Sequence, residues 1–376
     1  MMTERMARMG LAAAHDAGDL GLAALVRDQG AVDVWESVRS GPGTSSLARR
    51  AARVDVDRLA RDTQAIGAQF IIPGDEEWPA GVDDLMWSEP VGGVGGPPMG
   101  LWVAGPLDLA RLEAPVAMVG SRASTTYGEH VSADWAVGLA EQGHAVVSGG
   151  AFGIDAAAHR GALAAGGATV AVMASGLAHL YPPGNSSLLE KVRQTGAVVS
   201  EYPPDSTPTR SRFLVRNRLI AALSAATVIV EGAMRSGAQN TVSWALSMQR
   251  LVMAAPGPVT SAMSVTPHRL IRAGEAVLVT SVEDILQAVG PLTACASDYV
   301  RAPPTLFDAL TTEQQAIHET LSARRSVSVD ELAVRTGESA LTLMVVLSQL
   351  AARDLAVETA PGLWRAVDHR GQQRGD

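Results

Sequence analysis

From residue 115 onward the chain alternates between two hydrophobic patterns. Runs of four to six mostly apolar residues are separated by stretches whose apolar positions fall three and four apart. The runs at 115–119, 144–148, 168–173, 197–200, 226–230, 251–254 and 276–279 predict strands. The stretches at 128–142, 154–165, 186–194, 211–223 and 238–248 predict helices. Short apolar strands alternating with amphipathic helices imply an α/β fold, a doubly wound parallel sheet covered on both faces. Ligands of such sheets bind beyond the carboxyl ends of the strands. Gly120, Ser148, Ala174, Glu201 and Glu231 are expected there.

The flanks read differently. Residues 1–70 have helical spacing at 20–26, 33–38 and 55–67, broken by Ser40-Gly-Pro-Gly-Thr44. Short strands are expected at 69–73 and 101–105, with a glycine-rich loop between them. Residues 293–305 predict a linker, 306–367 a separate small domain, and 368–376 a disordered tail. Ser328-Val-Asp-Glu331 predicts a capping-box helix start. A long helix at 339–353 and a hairpin around Pro361-Gly362 then complete a winged-helix pattern.

Composition narrows the function. No apolar run reaches the ~18 residues of a membrane helix. The start shows no signal peptide, and one cysteine, Cys295, supports neither a disulfide framework nor a cysteine zinc cluster. The expected location is the cytoplasm. The sole lysine, Lys191, sits inside a predicted helix, which excludes a P-loop and a Schiff-base enzyme. A net charge of −9 disfavours indiscriminate nucleic-acid binding. The exception is local: Arg210, Arg212, Arg216 and Arg218 occur together with no acid among them.

Several strand ends carry candidate anion sites. Gly120-Ser-Arg122 follows a buried strand and precedes a helix, where main-chain N–H groups and a guanidinium hold a phosphate. Ser148-Gly-Gly-Ala-Phe-Gly-Ile-Asp155 is a second such turn, with Asp155 as a helix-start carboxylate. Asp155 and His159 share a helix face; pairing fits them better than a metal, because no third ligand is evident. Arg212, Arg216 and Asn217 lie about one turn apart and line one groove. Phe213 either stacks a base or packs in the core. Ser236-Gly237 opens a further helix within Glu231-Gly-Ala-Met-Arg-Ser-Gly-Ala-Gln-Asn-Thr241. A dinucleotide site does not fit, because the first turn is not G-x-G-x-x-G.

Taken together and in this order, these segments resemble the DNA-processing protein A family (DprA, also called Smf). The matching residues are Val119-Gly-Ser-Arg122, Ser148–Asp155, Tyr181-Pro-Pro-Gly-Asn185, Ser200-Glu-Tyr-Pro203, Arg216-Asn-Arg-Leu-Ile220, Glu231, Ser236-Gly237, Thr241 and Pro256-Gly257. The resemblance implies an extended Rossmann-like domain over 71–292, with a helical N-terminal domain over 1–70 of the SAM or helix-hairpin-helix kind. It implies a homodimer that binds single-stranded DNA without sequence preference, protects incoming DNA and loads RecA in natural transformation. It implies neither catalysis nor a cofactor. Carried over by motif, Gly120, Ser121, Arg122, Ser148, Gly149, Gly153, Arg216, Asn217 and Arg218 would contact the strand. Arg212, Ser236 and Gly237 extend that set. Where many relatives carry Lys or Arg this chain has Phe152, so either a phosphate contact is missing or Arg160 or a stacking Phe152 replaces it. His268 stands in place of a usual asparagine.

Two other function classes are open to the same residues. A nucleotide-processing enzyme of the phosphoribohydrolase kind would use Glu201, Glu231 and Asp155 as acid/base groups. A winged-helix DNA regulator would need a basic recognition helix, yet residues 341–350 carry no basic residue. That module is expected to contact protein, or at most DNA weakly.

Overall fold

The computed structural model describes residues 2–41, 45–234, 236–290 and 310–367. The chain divides into two compact units, Met1–Ser297 and Asp298–Asp376. The expected linker at 293–305 and tail at 368–376 lie outside the described residues.

The first unit is built on β1 (Gln69–Ile71), β2 (Leu101–Ala104), β3 (Val116–Val119), β4 (Val146–Ser148), β5 (Thr169–Met173), β6 (Ala197–Ser200), β7 (Ala226–Ile229), β8 (Leu251–Ala254) and β9 (Val277–Leu278). Their order across the sheet is β1-β2-β6-β5-β4-β3-β7-β8-β9. The seven strands from β6 to β9 pair in parallel, and β2 and β1 add an antiparallel edge. From β3 the chain winds outward through β4, β5 and β6, then returns to place β7 on the other side of β3. The switch point therefore lies between β3 and β7.

Helices α1 (Glu4–Ala14), α2 (Leu20–Gln29), α3 (Ala31–Ser40), α4 (Ser46–Ala51) and α5 (Val56–Ala65) form the N-terminal region. They do not stand apart from the sheet. Trp35, Leu11 and Val26 share a core with Trp102, Met173 and Val198 from β2, β5 and β6. Helices α6 (Thr126–Glu141), α7 (Ile154–Ala164), α8 (Ser186–Thr195), α9 (Arg210–Ala222), α10 (Gly237–Ser247), α11 (Val265–Arg272) and α12 (Val282–Val289) complete the unit. Strands β3 to β7 are buried along their whole length, as covering on both faces requires.

The second unit contains α13 (Thr312–Thr320), β10 (Val327–Ser328), α14 (Val329–Thr336), α15 (Ala340–Ala351), β11 (Ala356–Ala360) and β12 (Leu363–Ala366). Its strands form an antiparallel sheet ordered β10-β12-β11, and its core gathers Ile317, Leu332, Leu347 and Trp364. Ser328 caps α14 through the Glu331 N–H, but Glu331 does not reach back to complete a box. Its carboxylate binds Arg325 and Arg335 instead. The reciprocal box is at α13, between Thr311 and Gln314.

Candidate nucleic-acid interface

The ends of β3, β4 and β7 are stitched into one rim. Ser121 N–H donates to Glu231 O at 2.9 Å, and Ile154 N–H donates to Ser121 O at 3.3 Å. The Glu231 carboxylate accepts from Thr125 N–H at 2.9 Å and from Thr125 Oγ1 at 2.6 Å. Glu231 is thus committed to holding the β3–α6 loop. Gly153 has φ +75°, and a Cβ there would sit 2.3 Å from Ser121 O. Only glycine satisfies both the dihedral and the approach. Helices α6, α7 and α10 follow β3, β4 and β7 at this rim, and helix N-termini favour anions.

At the switch point the rim encloses a cleft of about 660 Å³. Ser121, Arg122, Asp155, Phe213, Arg216 and Ser236 are among its lining residues. Arg216 reaches it from α9. Its Nη1 donates to Gly149 O at 2.8 Å and also to Val172 O, while the buried Nε has no partner among the described residues. A Cβ at residue 149 would meet this guanidinium at 2.5 Å, so the close approach requires Gly149. Burial lowers the Arg216 pKa to about 10; Asp155 nearby opposes that shift, and Arg122 adds to it. The exposed Arg122 guanidinium lies 4.7 Å from the Phe213 ring centroid, and Arg216 lies 6.0 Å from it. Tyr181 packs on the same ring at 5.9 Å. Asp155 accepts from Gly149 N–H at 3.2 Å and Ala151 N–H at 3.4 Å. Burial raises its pKa against the pull of Arg216 and those two N–H groups. Ser236 Oγ is also buried without a partner among the described residues.

Not every expected residue reaches this cleft. Arg218 is fully buried, with Nη1 and Nη2 on the Glu201 carboxylate at 2.7 and 2.5 Å and Nε on Gly96 O at 3.1 Å. Its charge is paired inside the protein with Glu201. Ser148 is fully buried, its hydroxyl donating to Met118 O at 2.7 Å to tie β4 to β3. Arg212 stacks on Tyr202 at 4.4 Å and donates to Thr207 O, outside the lining. Arg160 pairs with Glu129 at 3.8 Å and lines a different groove with Lys191, so it does not replace a contact at position 152. Phe152 is 50% exposed and packs on Gly184. Asn217 and Gly237 line the cleft, and Asn217 Nδ2 donates to Gly237 O and Asn240 Oδ1, both at 3.2 Å. Arg210, absent from the expected set, lines the cleft as well; its place in the arginine-rich run was the one available signal. His159 is fully buried. Its Nδ1 meets Thr169 Oγ1 at 2.7 Å, its Nε2 has no partner among the described residues, and burial pushes its pKa down to about 3. Among the described residues no group of three His, Cys, Asp or Glu side chains is placed to hold a metal.

The family model for DNA recombination-mediator protein A matches residues 69–290, which contain the whole rim. The chain belongs to this family. It is 44% identical over 360 residues to the Mycobacterium tuberculosis protein carrying the name DNA processing protein DprA, covering 92% of this chain and 90% of that one. It is 41% identical to Smf of Escherichia coli over 191 residues, half of each chain. The X-ray structure of Streptococcus pneumoniae DprA superposes with a TM-score of 0.63 at 30% identity, covering 76% of this chain and 97% of that one. A structure of DNA processing protein A from Helicobacter pylori, described for its single-stranded DNA binding mode, superposes at 0.52 with 27% identity, covering 59% and 95%. The sheet order and N-terminal helices described above accordingly belong to an α/β fold of the DprA kind.

Proposed function

We propose that the switch-point cleft binds single-stranded DNA without sequence preference. One observation carries this reading: Arg122 and Arg216 face a single cleft, where the buried Arg216 Nε and Ser236 Oγ lack partners among the described residues. Buried polar groups are normally satisfied, so two orphans lining one cleft point to a missing ligand. Converging guanidinium groups and helix N-termini suit phosphates, which carry no base identity. The single-strand binding described for the Helicobacter pylori relative supports the choice.

The contact set is Gly120, Ser121, Arg122, Gly149, Gly153, Arg210, Arg216, Asn217, Ser236 and Gly237, with Phe152 at a nearby loop. Arg218 and Ser148 act from inside the fold. Phe213 carries Arg122 over its ring and positions it. No bond is made or broken in this reading: Glu201, Glu231 and Asp155 are all engaged by protein donors. The protein works in the cytoplasm as a homodimer, shields an incoming strand in natural transformation and passes it to the RecA recombinase. The C-terminal unit is a winged helix that contacts protein rather than DNA.

The test is a titration of oligo-dT and of duplex DNA across salt concentrations, with wild type and Arg122→Ala. The wild type prefers the single strand. Loss of one phosphate contact makes the log–log salt slope shallower by about 0.7. Unchanged affinity and slope in Arg122→Ala overturn the assignment of the cleft.

A further inference from the structure

Four aromatic side chains are exposed among the described residues: Trp87, Tyr127, Phe152 and Tyr181. Three have a neighbour against the ring. Arg27 lies over Trp87 at 5.5 Å, Tyr181 packs on Phe213 at 5.9 Å, and Phe152 packs on Gly184. Tyr127, 41% exposed, has neither a ring nor a guanidinium stacked on it among the described residues. Its place singles it out. Tyr127 stands in the first turn of α6, five residues beyond Arg122. Five residues span at most about 18 Å, so both side chains can serve neighbouring nucleotides of one strand. Two ties hold the ring at the rim. Thr125, two residues earlier, is bonded through its N–H and Oγ1 to the Glu231 carboxylate. The phenol donates to Pro256 O, in the loop after β8, at 2.6 Å. Burial, and then the charge of Glu231, raise the phenol pKa, so the hydroxyl keeps its proton for that bond. The loop is itself bonded to the rim: Gly232 N–H donates to Met263 O at 2.7 Å, and Thr266 Oγ1 donates to Ala233 O at 2.9 Å. Met263 and Ala233 both line the cleft. The ring is thus oriented before a ligand arrives, and stacking on it orders little further side chain.

We propose that Tyr127 is a stacking platform for one unpaired base of the strand whose phosphates occupy the cleft, and that it selects single strand over duplex. The proposal rests on the reading of the cleft given above. Phosphate contacts carry no base identity and are open to either form of DNA. An aromatic face beside them takes any unpaired base, because every base has a π-face. A duplex keeps its bases stacked on one another and offers none to the ring. Tyr127 therefore supplies a preference that guanidinium groups and main-chain donors do not.

Two measurements on the full chain test it. In the first, oligo-dT and an abasic oligodeoxynucleotide of equal length are titrated against wild type, Tyr127→Leu, Tyr127→Phe and Arg122→Ala. Tyr127→Leu weakens oligo-dT binding about tenfold and leaves abasic binding unchanged. Tyr127→Phe keeps the ring, loses the bond to Pro256, and binds oligo-dT nearly as wild type does. Arg122→Ala weakens both ligands, so a failure of the cleft is distinguished from a failure of the platform. No loss of oligo-dT binding in Tyr127→Leu overturns the proposal. So does a loss shared by Tyr127→Phe, or one equal on both ligands at an unchanged thermal midpoint, because Tyr127 would then only anchor the loop. The second measurement needs no variant and decides the matter if Tyr127→Leu misfolds. Wild type is irradiated with oligo-dT carrying 5-iododeoxyuridine, and the adducts are mapped to single residues by mass spectrometry. An adduct on Tyr127 is expected; labelling confined to other residues overturns the proposal.

Discussion

Arg216 and Arg218 sit two residues apart on α9, and both are buried, yet they serve opposite ends. On the Arg218 side the guanidinium meets a carboxylate face to face and a carbonyl on Nε, so its charge and its donors are accounted for. On the Arg216 side, the carbonyls of Gly149 after β4 and Val172 in β5 hold one nitrogen, Nε has no partner among the described residues, and the nearby carboxyl of Asp155 is bound to main-chain N–H groups. A closed account marks a structural charge. An open one, beside a cleft, is what the proposed phosphate-binding role requires.

The comparison breaks first at Arg218. Arg218→Ala leaves Glu201 buried without its partner and costs about 3–5 kcal/mol, measurable by urea denaturation. Replacing both members together, with Met for Arg218 and Leu for Glu201, restores most of that loss, as expected where a charge has only a structural role. Behind Arg216, His159 sharpens the contrast through pH. Its folded pKa is near 3 against an ordinary 6.5, so the folded chain holds it neutral. That stability is present above pH 6.5 and declines as pH falls toward 3, by up to about 1.4 kcal/mol per pH unit. His159→Gln flattens this part of the curve of unfolding free energy against pH; an unchanged curve breaks the assignment.

Smaller effects are expected at the cleft itself. Arg216→Lys keeps the charge but loses the fork, and weakens oligo-dT binding about tenfold. Its thermal midpoint moves less than that of Arg218→Ala. Equal binding by this variant and wild type removes Arg216 from the ligand set. The smallest effect is at Arg160. Arg160→Ala leaves oligo-dT affinity unchanged and alters stability by no more than about 0.5 kcal/mol, because its pair with Glu129 is solvent-exposed. Weakened binding there places the strand beyond the cleft and along α7.

Much of the architecture was legible from periodicity. Strands 197–200 and 251–254 were read to the residue, and the five helices between strands shifted by at most two positions at either end. Those elements are uniform in chemistry, and their period is a local property. The N-terminal helices were legible as helices, but the core they share with β2, β5 and β6 was not. Nothing local in Trp35 or Leu11 says what they pack against. At the site, Gly120-Ser-Arg122 and Arg216 were legible because they follow a strand end or crowd with other arginines.

The amino-acid order by itself determined the parallel sheet, the glycine turns at its strand ends and the family. Each depends on spacing along the chain. Tertiary structure alone decided which positive charges are available. Arg210, Arg212, Arg216 and Arg218 look equivalent along the chain. They diverge because Glu201 waits beside one, Tyr202 lies under another, and the switch-point cleft opens before the remaining two. A charge's role depends on its distance to partners and on the water left around it, and both are set by segments remote in sequence.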